Sequence, residues 1–167
     1  MRWHLLDALT EVVPGQHARG RARTAFPDEL FADHFPSFPI VPGVLVIEAG
    51  AHLGGFLVMA SVHAALGHMV FPVLSIIREA KLRRFVPPGT PLLLEATLDT
   101  LRPESALCHI TASGLDGHRH ATMQLIFAFE PGGGVPGGDR DRLRRFVDAE
   151  LERLQSPWRP AATAAGD

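Results

Sequence analysis

Cysteine occurs once in the 167 residues, as Cys108, so no internal disulfide can form and a reducing cytoplasm suits the chain. Net charge is nearly absent too: −2 at pH 7, with 20% charged residues. That balance gives no reason to expect nucleic acid or an anionic membrane as a partner. The first residues, Met1-Arg2-Trp3-His4, lead into an alternating segment without the apolar core of a signal peptide. No membrane-length run goes uninterrupted: the longest apolar stretch, Val41 to about Leu66, is broken by Pro42, Glu48, His52 and His63. It reads as a helix enclosed by protein, because a helix apolar nearly all round must be covered on most sides. Metal-ligand sets are missing as well. His118 and His120 form an H-x-H pair, and His63 and His68 flank a helix end, but no Cys or carboxylate cluster completes a tetrahedral set. Ser37 and Cys108 lack a His–acid relay, which argues against a nucleophilic route.

What is present suits one domain with a sizeable core, 46% of residues being hydrophobic. Leu5 to Val13 alternates like a strand and Pro14-Gly15 makes a turn. His17 to Phe26 is a second strand, small residues alternating with Arg19, Arg21 and Arg23. Asp28 to His34 is a short connector, and Pro42-Gly43 opens a long helix ending near Leu66-Gly67. The pattern then turns strand-like over Phe71 to Ile77, Glu79 to Phe85, Leu92 to Leu101, Leu107 to Ser113 and His120 to Phe129. One buried helix followed by antiparallel strands packs most economically as an α+β fold, the sheet wrapped around the helix. Gly50, Gly54 and Gly55 would let that sheet come close.

The expected boundaries are a main domain over 1–130, a Gly/Pro linker over 131–138, an amphipathic helix over 139–156 and a disordered tail over 157–167. Leu143, Phe146, Val147, Leu151 and Leu154 form the stripe of that helix. It is too short to be stable alone, so the stripe should dock on its own domain, a dimer mate or another partner.

The most informative stretch runs from Asp33 to Ala49. Pro36, Pro39 and Pro42 recur every third residue and hold the loop extended, with His34 on it. Glu48 then falls one turn inside an apolar helix. Burying an ionised, unpaired carboxyl costs several kcal/mol, a cost met where a carboxylic acid must stay protonated near neutral pH. His34 and Glu48 therefore read as a base and an acid.

The run His34-Phe35-Pro36-x-x-Pro39-x-x-Pro42-Gly43-Val44-Leu45-x-x-Glu48-Ala49 resembles the 3-hydroxyacyl-acyl carrier protein dehydratases of the hot-dog fold, of the short-chain type that uses Glu rather than Asp. A second block, Ile77-Arg78-Glu79-Ala80-Lys81-Leu82-Arg83-Arg84-Phe85-Val86-x-Pro88-Gly89, matches as well. The resemblance covers roughly residues 5 to 130. It implies an antiparallel sheet curled around a long central helix, and a cytoplasmic homodimer with active sites at the subunit interface, assembly beyond the dimer being left open. Each site would combine His34 of one chain with Glu48 of the other.

The reaction so implied is loss of water from a (3R)-3-hydroxyacyl thioester on acyl carrier protein, in fatty acid or polyketide-type synthesis. It needs no metal or redox cofactor. Neutral His34 would take the α-proton, protonated Glu48 would protonate the departing hydroxyl, and the backbone N–H of Gly43 would polarise the thioester carbonyl. Arg78, Lys81, Arg83 and Arg84 are the candidates for meeting the acidic carrier protein, beside a bland reading as a solvated strand face.

Two positions and one missing motif depart from the family's pattern. His52 stands where Gln is common, Asp33 where Gly is usual, and no Pro-His-Arg run occurs near the N-terminus. Four residues on from Glu48, His52 shares its helix face and would orient it. Two rival functions stay open: a hot-dog acyl thioesterase, and a non-catalytic hot-dog subunit.

Overall fold

The computed structural model describes residues 4–131 and 138–160. Most of the expected linker and residues 161–167 of the expected tail lie outside them. The elements run β1 (Leu6–Val13), β2 (His17–Ala22), α1 (Asp28–Ala32), α2 (Gly43–Leu66), β3 (Val73–Leu82), β4 (Leu92–Leu101), β5 (Ser105–Gly114), β6 (Arg119–Ala128) and α3 (Arg140–Arg153). The strands form one antiparallel sheet in the order β1-β2-β4-β5-β6-β3.

α2 is delimited by sequence chemistry. Pro42 fixes its entry, and Gly67 ends it in the left-handed region at φ 74°, its N–H donating to the His63 carbonyl. The helix has the length and hydropathy of a membrane span, yet most of it is buried within this protein. Strict alternation along β5 and β6 turns Cys108, Ile110, Ala112, Met123, Leu125 and Phe127 inward onto α2. The β1–β2 turn is pinned to the helix by Ser61, whose Oγ accepts from the Gly15 N–H at 2.8 Å and donates to the Leu57 carbonyl at 2.6 Å.

Close approach of sheet to helix depends on Gly50 and Gly54. A Cβ on Gly54 would lie 2.7 Å from Cζ of the fully buried Phe127, whereas a Cβ on Gly55 would meet nothing within 4 Å among the described residues. Gly54→Val should therefore overpack the core and cost about 1–3 kcal/mol, while Gly55→Ala should leave stability equal or higher through helix propensity. Thermal unfolding of the two variants checks this; equal melting temperatures would contradict it.

β3 departs from expectation. The sequence suggests separate segments over Phe71 to Ile77 and Glu79 to Phe85, but a single strand pairs with β6 throughout, with register shifts between Leu74 and Ile76 and between Ile77 and Glu79. Each irregularity inserts a residue and breaks the alternation that a sequence reading relies on.

α3 docks on its own domain. Asp139 caps it by accepting from the Arg142 N–H, and Leu143, Val147, Leu151 and Leu154 enter the core. The end of the helix also covers the free edge of β1: the Leu9 N–H donates to the Leu154 carbonyl at 3.1 Å, and Arg153 donates to the Leu6 carbonyl at 3.0 Å. Packing continues past residue 156, contrary to the expected start of the tail. Trp158 sets its ring edge-on to His63 at 6.3 Å, and Pro160 is buried, its carbonyl accepting from Arg144.

Candidate active site

The sheet leaves one face of α2 uncovered. Along it Val44, Glu48, His52 and Phe56 recur four residues apart and keep partial exposure. This face floors a cavity of about 650 Å³. Phe71, Pro72, Val73 and Leu74, at the start of β3, form one wall, and Phe146, Val147 and Glu150 of α3 form another.

Glu48 thus lies on the wall of an apolar cavity, its side chain 33% exposed, rather than inside the core as its helix context suggests. The cause is its place on the stripe that opens between β3 and α3. His52 Nε2 sits 3.3 Å from Glu48 Oε1. Burial pushes the His52 pKa below its usual value, outweighing the opposing pull of Glu48. A neutral imidazole at this distance can orient a carboxyl without adding a positive charge beside it. Glu150 and Arg153 bear on His52 in opposite senses, and Glu150 itself pairs with Arg153 at 2.8 Å and His4 at 3.6 Å.

Gly43 opens onto a different cleft, of about 300 Å³, with Ile40, Val41, Leu82, Arg83, Arg84, Phe85 and His120. Helical geometry explains the separation: five residues along, Glu48 is rotated roughly 140° about the axis from Gly43. His34 lies half-buried on the preceding loop and borders neither cleft. Its ring stacks on Phe35 at 4.4 Å across a cis peptide, and its carbonyl accepts from the Ile40 N–H at 3.2 Å. One chain therefore unites Glu48 with His52 and leaves His34 apart from both.

The basic run is exposed throughout. Arg78 and Lys81 lie on β3, where Lys81 pairs with Glu79 at 2.7 Å. Arg83 and Arg84 follow, both backbone N–H groups donating to the His120 carbonyl. Burial in β5 pushes the Cys108 thiol up to about 12, which removes it as a nucleophile. The contribution of α3 to the cavity was not foreseen. Phe146, expected within the docking stripe, instead stays 56% exposed while Leu143, Val147, Leu151 and Leu154 are buried; it and Glu150, four residues on, face the cavity, which periodicity alone does not say.

The FabA-like domain family matches residues 2–122. The 3-hydroxyacyl-[acyl-carrier-protein] dehydratase FabZ of Clostridium acetobutylicum is 42% identical over 123 residues, covering 74% of this chain and 84% of the relative. Its counterpart from Ligilactobacillus salivarius is 35% identical over 123 residues, covering 74% and 85%. The chain belongs to the FabA-like family of 3-hydroxyacyl-acyl carrier protein dehydratases. Among solved structures, a thioesterase from Haemophilus influenzae, HI1161, superposes with a TM-score of 0.56 at 12% identity, covering 72% of this chain and 76% of the other. That likeness is one of fold, the hot-dog arrangement of a curled sheet around a central helix. Within this FabA-like chain the matched span includes His34, Gly43, Glu48, His52 and the basic run, whereas α3 lies beyond it.

Proposed function

We propose that this dehydratase removes water from (3R)-3-hydroxyacyl thioesters carried on acyl carrier protein, giving trans-2-enoyl thioesters, with His34 as base and Glu48 as acid. The observation that carries the reading is Glu48 on an apolar cavity, held 3.3 Å from an imidazole that burial keeps neutral. Neutral His34 takes the α-proton. The electron pair moves into the Cα–Cβ bond, and the Cβ–O bond breaks as Glu48 protonates the hydroxyl, which leaves as water. Charge developing on the thioester oxygen is met by the Gly43 N–H at the start of α2, where free amides and the helix dipole favour an anion.

Two copies supply one site. α3 covers the free edge of β1, but among the described residues nothing covers the β3 edge, which exposes Val73, Ile76, Ile77 and Leu82. A long apolar edge of this kind invites strand pairing, and a second copy of β3 satisfies it symmetrically. Exposed Phe35, Phe38 and Phe85 extend the apolar surface beside the His34 loop. His34 and Gly43, tied together through the Ile40 bond, then come from one protomer, and Glu48 and His52 from its partner. Arg83 and Arg84, on the rim of the Gly43 cleft, together with Arg78 and Lys81, meet the acidic carrier protein. The single buried cysteine fits a reducing cytoplasm, and α2 serves as core helix rather than membrane span.

Incubation with crotonyl thioester tests the reaction in its hydration direction. Loss of enoyl absorbance without free thiol is the expected result. Thiol release would turn the assignment to a thioesterase, and silence with carrier-linked substrates too would leave a non-catalytic subunit.

A further inference from the structure

We propose that α3, which lies beyond the span matched by the family, is the wall that sets how large an acyl group reaches Glu48, with Phe146 as the side chain that selects. The inference rests on the reading of Glu48 as the acid of the site.

The cavity is lined by four polar side chains, Glu48, His52, His4 and Glu150, among apolar ones that include Ala51, Phe56, Met59 and Leu74. Glu48 and His52 mark the reacting end. That arrangement fits an acyl thioester whose β-carbon sits at Glu48 and whose chain runs along α2. Gly55 leaves the floor open, since a Cβ there would meet nothing within 4 Å among the described residues. The chain's path is therefore bounded at the side, by the start of β3 and by α3.

α3 is fixed firmly enough to act as a wall. Leu143, Val147 and Leu151 anchor it in the core, and the bonds from Leu9 to Leu154 and from Arg153 to Leu6 hold its far end to β1. Phe146 stands on the flank beside these anchors, a large apolar ring left 56% exposed at the cavity. An acyl chain in the cavity would cover it. Glu150, one turn on, is held by Arg153 and His4 and closes the wall with a polar group that an apolar chain avoids.

The test uses the full-length protein and a series of 3-hydroxyacyl thioesters from butanoyl to hexadecanoyl. Phe146→Ala should raise the ratio of long-chain to short-chain kcat/KM by on the order of tenfold, and Phe146→Trp should lower it, the scale set by a hydrophobic pocket gaining or losing a few methylenes. Circular dichroism of both variants should match wild type, because the ring is exposed; should Phe146→Ala misfold, Phe146→Trp still reads the selectivity. An unchanged ratio in a folded variant overturns the role of α3. Glu48→Gln run alongside separates the two readings. If it stays fully active, the placement of the acid fails; if it is inactive while the Phe146 variants keep the wild-type ratio, only the wall fails.

Discussion

Replacing Glu48 by Gln is expected to slow dehydration by about 10² to 10⁴-fold while leaving the fold intact. Gln is nearly isosteric and keeps a hydrogen bond to His52, but its amide has no acidic proton for the leaving hydroxyl. The side chain is a third exposed, so stability should hardly change. His34→Ala should lose a comparable factor by removing the base. The pH profile of wild type adds a sharper check. His52 is neutral because burial holds its pKa below the usual 6.5. As pH falls through that lowered pKa the imidazole gains a proton, and a cation 3.3 Å from Glu48 favours the carboxylate, which cannot act as acid. Glu150 pulls the same titration up and Arg153 pulls it down, so both belong in its interpretation. In wild type, log kcat should therefore fall as pH drops through the His52 titration, and that fall should be absent in His52→Gln. Identical limbs would deny His52 its influence on the acid.

Much of this arrangement is written in the residue pattern. Pro42 and Gly67 bound α2 where the turn chemistry says they should, and the period-two burial of β5 and β6 follows the alternation of their sequences. The motif from His34 to Glu48 names the candidate acid and base because few other reasons exist for a carboxyl among Val, Ile and Ala. The exposure of Glu48 was not legible. Periodicity says which side chains share a helix face, but whether that face is covered depends on where a curled sheet stops, and the gap lies between elements distant in sequence. The two irregularities in β3 hid a continuous strand for a related reason: an inserted residue resets the alternation without changing the pairing. α3 shows the same divide. Helical spacing identifies the residues of its stripe but not where the stripe's buried part ends, so Phe146 reads as a docking residue although it faces the cavity.

Mixing two inactive variants should restore activity. His34→Ala and Glu48→Gln chains, dissociated together and reassembled, are expected to recover about a quarter of wild-type activity under random pairing in a symmetric dimer. Half of the dimers are then mixed, and each mixed dimer holds one site with both native groups and one with neither. The expectation follows from what one chain fails to do. Gly43 and Glu48 face different clefts, and His34 borders neither, so the proposed base and acid share no cleft within one protomer. In the proposed dimer, the β3 edge, uncovered among the described residues, brings the second copy to it. If the sites lay within single chains, the mixture would be as silent as its components. Ile76→Arg supplies the control, because a charge on the exposed apolar edge should prevent pairing and yield monomers by light scattering. That variant should be inactive with every native group in place. An active Ile76→Arg monomer would instead show that the acid and base meet inside one chain, and the two clefts would have to be joined by a motion of the His34 loop.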